Sequence, residues 1–549
     1  MDIRCFLYRK MGRRNLQATL ALRTVCGLIV AALLFGLIVW RALSLDLVAD
    51  RSSSRVLLFA LPVCITDLYH SGNKNYTMWS RLHNLTTHHH YTIEKRPYFA
   101  DASQLIRDLL ASTRPKAESK VSFWGYDDRG LSDYCKLAFL IFGPSLSSFS
   151  KLWLTILALS AVGFLLSFGR HKVGPPLLWV ILYSVYLGLG LYSFQQTATS
   201  LHEERAFEYL TLLSALHIAL MPHLVRVLDW RAITGLVIQV GIFVFIYHAR
   251  SSIGWQLLPI AASAAFALYR YRTNVADIFK GGTIKQRFQR SYPVAPLLVL
   301  IAGLIVLTIH TRTAYHSAYF AEQGGRNFYH NALMGLHGMR FDGEPRLSID
   351  DGLVKTAVRK HIARIKNKNF NEYDYTILYG KKYEEDAKKY YCHLISRSPT
   401  DTISYYFGKI PRTFNFLIGF TSIRPTAGGP VRIGDEIRNL RDPAVAATAH
   451  ELGLFLSLVT PVSFLIVLSG SLIYGAKSAH WLLLSIIVAL FFAASFIPSV
   501  AFYNQGTRQI MGMALSATLI CHIALLVFTS SLIIFLKFLS QFSPHRRSQ

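Results

Sequence analysis

Apolar runs of about twenty residues, separated by short basic loops, recur along this chain and constrain its fold more than any other feature. Such a run covers a bilayer core of about 30 Å at a rise of about 1.5 Å per residue, and a helix satisfies its own backbone there. The runs are 24–40, 152–168, 176–194, 207–224, 232–248, 253–268, 294–310, 452–474, 481–502 and 510–538. Of the 549 residues 52% are hydrophobic and 16% charged, too apolar a balance for a string of soluble domains. The expected fold class is an all-α polytopic membrane protein with about ten transmembrane helices.

Charge sets the expected orientation. Arg4, Arg9, Lys10, Arg13, Arg14 and Arg23 precede the first run, and no small-x-small cleavage site follows it, which reads as a signal anchor with its N-terminus inside. Threading on from there puts the basic loops 169–174, 226–231, 270–290 and 475–480, and the tail with Arg546 and Arg547, on the same side. The expected layout is a cytoplasmic N-terminus (1–23), a first span (24–40), an outer loop with interfacial helices (41–151) and a core of spans two to seven (152–310). An outer-face soluble domain of α or α+β type (311–450), three final spans (451–538) and a cytoplasmic tail (539–549) follow. The apolar piece 56–65 is too short to cross and reads as buried or interfacial.

The formal charge of +27 suits a protein that keeps Lys and Arg beside anionic lipid, and nucleic acid is not an expected partner. Segment 311–450 carries twenty-one Lys and Arg against fourteen Asp and Glu. That surplus suits anionic headgroups or an acidic glycan. The six cysteines show no metal-like spacing, and Cys64 and Cys135, both placed outside, are candidates for a disulfide. Asn75 and Asn84 begin sequons, and 88–90 is a His run that either binds a metal or is polar loop.

One stretch looks like a polar site held at a bilayer surface. Residues 123–134, FWGYDDRGLSDY, set three carboxylates (Asp127, Asp128, Asp133) and four aromatic rings just ahead of a span. Arg129-Gly130 is turn-like, and 131–143 runs apolar to a Gly-Pro break, predicting a loop that ends in an interfacial helix. Acidic groups near the start of that helix favour its dipole. Asp127 and Asp128 therefore read either as caps or as a catalytic or metal-binding pair at the water–membrane boundary. Glu203 and Glu204, in the next outer loop, face the same side and are expected either to start a helix or to converge with the first pair on one cavity.

With Asp127-Asp128 and Glu203-Glu204 in these loops, the layout resembles membrane glycosyltransferases of the GT-C type. These have an inside N-terminus, a long first outer loop with an acidic catalytic motif, and often acidic residues in the second outer loop. Protein O-mannosyltransferases of that class also carry a large outer domain after the seventh span, where 311–450 falls. The resemblance implies transfer of a sugar from a polyprenyl phosphate or diphosphate carrier to a glycan, glycolipid or protein acceptor on the outer face of an inner membrane. It implies Asp127 or Asp128 as base and Glu203 or Glu204 as helper, with a divalent cation as an open cofactor question. Arg129, Arg205, Arg250 and Arg312, near outer span ends, are candidates for the carrier phosphate or, in the plainer reading, snorkelling anchors.

In the outer domain, His330, His337, Asp350 and Asp351 are candidates for acceptor-sugar or metal contact, or for structural roles. His217, His223, His310 and His522 lie in or near spans as relay groups or packing residues. Two other readings compete: an O-antigen polymerase or ligase type, and a polysaccharide or lipid transporter. Few charges inside the spans and no visible two-half repeat weigh against the transporter.

Overall fold

The structure is a computed structural model. It describes residues 29–40, 130–145, 147–171, 207–272, 289–314, 328–348, 350–369, 381–421, 431–433, 436–438 and 479–502, with isolated positions such as Cys64 and Leu177 between them. These residues are mostly helical. In chain order the helices are α1 (Ile29–Trp40), α2 (Leu131–Phe142), α3 (Ser147–Phe168), α4 (Phe207–Leu224), α5 (Trp230–Ala249), α6 (Leu257–Arg270) and α7 (Ala295–Ala314). Then come α8 (Phe328–Gly335), α9 (Asp351–Ile365), α10 (Lys381–Arg397), α11 (Pro399–Thr421) and α12 (Ala479–Ile497). A hairpin pairs β1 (Val431–Ile433) with β2 (Glu436–Arg438), antiparallel, with Arg432 opposite Ile437.

Three helices, α3, α5 and α7, are long and apolar enough to cross a membrane. The runs expected at 152–168, 207–224, 232–248 and 294–310 are all helices, each with bounds within a few residues. The run expected at 253–268 begins instead with a 3-10 turn, Ser251–Gln256, and becomes α-helical only at Leu257. Pro259 explains that start, because a residue without an amide proton fits only the first turn of a helix. The π-turn Pro498–Phe502 closes α12 where Pro498 interrupts the ladder. Runs 452–474 and 510–538 lie outside the described residues, as does most of 176–194.

α5 is the centre of the apolar bundle, packing on α3, α4 and α7. Lipid is as apolar as leucine, so helices there associate through close packing and hydrogen bonds rather than by escape from water. Both devices are present. A Cβ on Gly235 of α5 would run into Ser167 Oγ and the Gly163 carbonyl of α3, so glycine at 235 sets how near the two backbones come. One turn further along, the Gln239 amide sits wholly inside the bundle: its Oε1 accepts from Ser160 Oγ at 2.8 Å and Ser214 Oγ at 2.7 Å. Three helices are thus tied through one side chain. α5 starts on Asp229, whose carboxylate accepts from the Ala232 amide at 2.8 Å.

α7 shows most of its surface: Leu298, Ile305, Val306 and Ile309 are exposed. Exposed aliphatic side chains along an apolar helix suit a lipid-facing position. α2 has the two-sided pattern of an interfacial helix, with Leu131, Tyr134, Cys135, Ala138 and Phe139 buried and Leu140 and Ile141 exposed. It ends at Gly143, whose φ of 82° is the left-handed conformation that favours glycine. Cys64 and Cys135 are both buried thiols, and burial with the neighbouring Cys64 pushes the Cys135 thiol up.

A second, separate core joins α8, α9 and α10 around Leu333, Val354, Val358, Ile362, Tyr383, Tyr390 and Leu394. In α10 the buried positions Tyr383, Ala387, Tyr390 and Leu394 fall on one face at helical spacing, and its lysines on the other. Lys409 of α11 is fully buried; its ammonium donates to the Gly335 carbonyl at the end of α8 and to the Val500 carbonyl of the π-turn at 3.2 Å.

The Gln239→Leu substitution leaves the two serine hydroxyls without their shared acceptor while keeping volume. It should lower stability by about 1 kcal/mol, read as an earlier midpoint when the purified protein is unfolded from mild detergent by SDS. A Gly235→Leu change should cost more, because the α3 backbone itself must move.

Candidate functional site

The ends of α5 and α7 and the start of α2 meet at one place. Gly130 donates its amide to the His248 carbonyl at 3.0 Å, and a Cβ there would meet the His248 ring and the Ala249 amide. The glycine of the turn-like Arg129-Gly130 pair is what lets α2 begin directly on the C-terminal turn of α5. One helical turn later, Asp133 is brought against the His248 side chain.

The resulting group is compact. Asp133 Oδ2 lies 3.0 Å from His248 Nε2 and 3.6 Å from His310 Nε2. The two imidazoles are edge-on, with centroids 6.0 Å apart. Lys136, one turn along α2, places its ammonium 3.5 Å from Asp133 Oδ1. His248 is shielded, with a side chain 6% exposed, whereas that of His310 is 51% exposed. Asp133 thus joins an enclosed histidine to an open one. A carboxylate that holds one ring nitrogen of an imidazole fixes its tautomer and leaves the other nitrogen to act as base. The same three donors lie within 4.8 Å of one another, so this set also has the composition to hold a divalent cation.

The residues singled out in the sequence fall differently. Asp127, Asp128, Arg129, Glu203, Glu204 and Arg205 lie outside the described residues, as does His522. Arg250 is buried in the extended turn between α5 and the 3-10 segment, two residues after His248. Arg312 is exposed on the last turn of α7, two residues after His310. His330 is buried, its Nδ1 against the Tyr383 hydroxyl. His337 Nδ1 sits 3.1 Å from the Met334 carbonyl, and Asp350 caps α9 by accepting from the Leu353 amide at 2.9 Å. Asp351 is the first residue of α9. Glu384 does for α8 what Asp350 does for α9, accepting from the Tyr329 and His330 amides, although burial pushes its carboxyl above the usual range. These polar groups hold helix ends and the second core.

Inside the bundle His217 packs between Phe164 and Phe168, and His223 meets Ser263 Oγ at 3.1 Å. Of His217, His223 and His310, it is His310 that meets a carboxylate, that of Asp133.

Asp133 was within the stretch the sequence marks out, one turn beyond the favoured pair. His248 carried a weaker signal: with His310 it ends one of two runs that cross in the same direction, so both rings come to one side. The fold and site together define, among the described residues, a mostly helical protein with three helices fit to cross a bilayer and a carboxylate–dihistidine group at the ends of two of them. No family model, no curated protein and no solved structure matches the chain.

Gly130→Ala should open this junction. Diethyl pyrocarbonate mapped by mass spectrometry should modify His310 and spare His248 in the wild-type protein. In the variant His248 should react as well, with a loss of about 1–3 kcal/mol in stability from overpacking.

Proposed function

We propose that this chain is a membrane glycosyltransferase that moves a sugar from a polyprenyl phosphate or diphosphate carrier to an acceptor hydroxyl at the outer surface of an inner membrane. The observation that carries this reading is the Asp133–His248–His310 group, set at the ends of long apolar helices beside an interfacial helix. A donor whose tail lies in lipid and whose sugar lies in water needs a polar centre at that depth. His310 is the base in this reading: the Asp133 carboxylate, 3.6 Å from its Nε2, stabilises the imidazolium that forms when an open ring nitrogen takes the acceptor's proton. The acceptor oxygen then bonds to the anomeric carbon, the carbon–oxygen bond to phosphate breaks, and the carrier phosphate leaves with the electron pair. Lys136 and Arg312 are the nearby cations suited to that charge.

In the same reading about ten spans thread the membrane with both termini cytoplasmic, and 311–450 stands on the outer face over the site. Asp127, Asp128, Glu203 and Glu204 belong to the outer loops that bring donor and acceptor in. A divalent cation on the same three donors would offset the leaving phosphate in place of proton removal by His310.

Asp133→Asn and His310→Ala should each lower surface glycan by about a hundredfold or more in a complementation assay, with membrane insertion unchanged. Asp350→Asn, which weakens only a cap, should keep full activity. Wild-type glycan in both Asp133→Asn and His310→Ala, alongside loss in Asp127→Asn or Asp128→Asn, would move the base back to the first loop.

A further inference from the structure

The second core holds another carboxylate flanked by two histidines, far along the chain from the first and independent of the transfer reading. Glu344 lies in the loop between α8 and α9, His361 on α9 and His393 on α10. The loop is shaped for the purpose: Gly343 has φ 71°, the Glu344 amide donates back to the Phe341 carbonyl at 3.0 Å, and Arg364 donates to the Gly343 carbonyl at 2.9 Å. This turn drives the Glu344 side chain inward until it is 1% exposed.

Glu344 Oε2 stands 3.5 Å from His361 Nδ1, and Glu344 Oε1 stands 3.4 Å from His393 Nε2. Around a tetrahedral Zn2+ with bonds of about 2.0–2.1 Å, neighbouring ligand atoms are about 3.4 Å apart. All three donors fall within 4.8 Å of one another. Oε2 is buried and makes no hydrogen bond, and the Tyr390 hydroxyl is buried beside the carboxylate. A buried acceptor left unsatisfied is costly, and here it faces His361 Nδ1.

The competing explanation is an ion-pair staple. Arg364 Nη2 donates to Oε1, and Arg397 approaches it at 3.5 Å. Both arginines reach in from solvent, with side chains 52% and 46% exposed, so either can swing outward, and neither occupies Oε2. Arg364 also donates toward His361 Nδ1 at 3.3 Å, which requires a lone pair on that nitrogen, the form a metal needs.

We propose that Glu344, His361 and His393 form a Zn2+ site that ties the 335–350 loop to α9 and α10, with water in the fourth position and Arg364 displaced from Oε1 to solvent. The site is structural in role: it joins three pieces of chain within one small core.

The test uses the full-length protein in detergent micelles, stripped with chelator and then loaded with Zn2+ or Co2+. Metal is counted by mass spectrometry, and Co2+ is read by the visible d–d absorption of a four-coordinate ion. In the Asp133→Asn/His310→Ala background, which removes the other carboxylate–dihistidine donor set, the protein should hold one equivalent more than the same background with His361→Ala/His393→Ala added, and should show the absorption. Zn2+ should raise the melting temperature of wild type and not of His393→Ala, a change at a 38%-exposed side chain that leaves the core packed. Equal metal in wild type and the double histidine variant, or wild type that melts cooperatively and takes up no Co2+, shows an arginine staple only and overturns the site. Should the double variant fail to fold, His393→Ala in the Asp133→Asn/His310→Ala background decides: retained Co2+ absorption in it also overturns the site.

Discussion

The contact between α3 and α5 at Gly163, Ser167 and Gly235 is the constraint on which the apolar bundle depends. Among apolar surroundings there is little to be gained from hiding one leucine against another, so helices that stay together must approach closely or share hydrogen bonds. α5 does both within two turns, at Gly235 and at Gln239. Once α5 is fixed, its far end is fixed too. That end presents the His248 carbonyl to Gly130 and the His248 ring to Asp133, so the position of the ionisable group follows from glycine packing deeper in the bundle.

The second core uses water-soluble chemistry. Its helices are amphipathic, α8 is capped by Glu384 of α10 and α9 by its own Asp350, and burial of Tyr383, Tyr390 and Leu394 supplies the hydrophobic term. Lys409 connects the two worlds. A buried ammonium needs acceptors and counterweights; it finds the last carbonyl of α8, a carbonyl of the π-turn after α12, and the faces of Tyr405 and Tyr406 at 4.9 and 5.3 Å. Carbonyls at a helix end carry partial negative charge, which is why a lysine is tolerated there. The π-turn created by Pro498 therefore has a packing role, holding the Val500 carbonyl toward the second core.

What was legible in the sequence followed from length and period. The apolar runs that lie among the described residues are helices because a run near twenty residues leaves few alternatives, and the helix after Gly130 followed from a turn signal joined to an apolar stretch ending in Gly143. Boundaries slipped where a single residue overrode the run, as at Pro259 and Pro498. The site was legible only in part. Asp133 lay in the marked stretch, but nothing in a single sequence says which of three nearby carboxylates a distant histidine will meet. That depended on Gly130 lying against α5, a contact between residues more than a hundred positions apart. Glu344 was less visible still: in sequence it is one acidic residue in a turn, whereas His330, His337 and Asp350 stood in a more suggestive pattern and proved to have separate neighbours.

The two carboxylate–dihistidine groups share a donor set but differ in what surrounds it, and that difference assigns them different work. Asp133 is 23% exposed, its partner His310 is open, and a lysine of its own helix stands 3.5 Å from it. Such a centre keeps a face for a substrate or a water, which is what acid–base or Lewis-acid chemistry requires. Glu344 is sunk beneath two guanidiniums and between two helices of a hydrophobic core, and Arg364 holds its carboxyl below the usual range against the opposing effect of burial. A charge so enclosed has no room for a substrate, and its energetic role is to hold chain segments together, through arginine or through a metal ion. An open carboxylate with a half-exposed histidine therefore suits the chemistry proposed at the helix ends, and a closed one suits a role in holding the second core together.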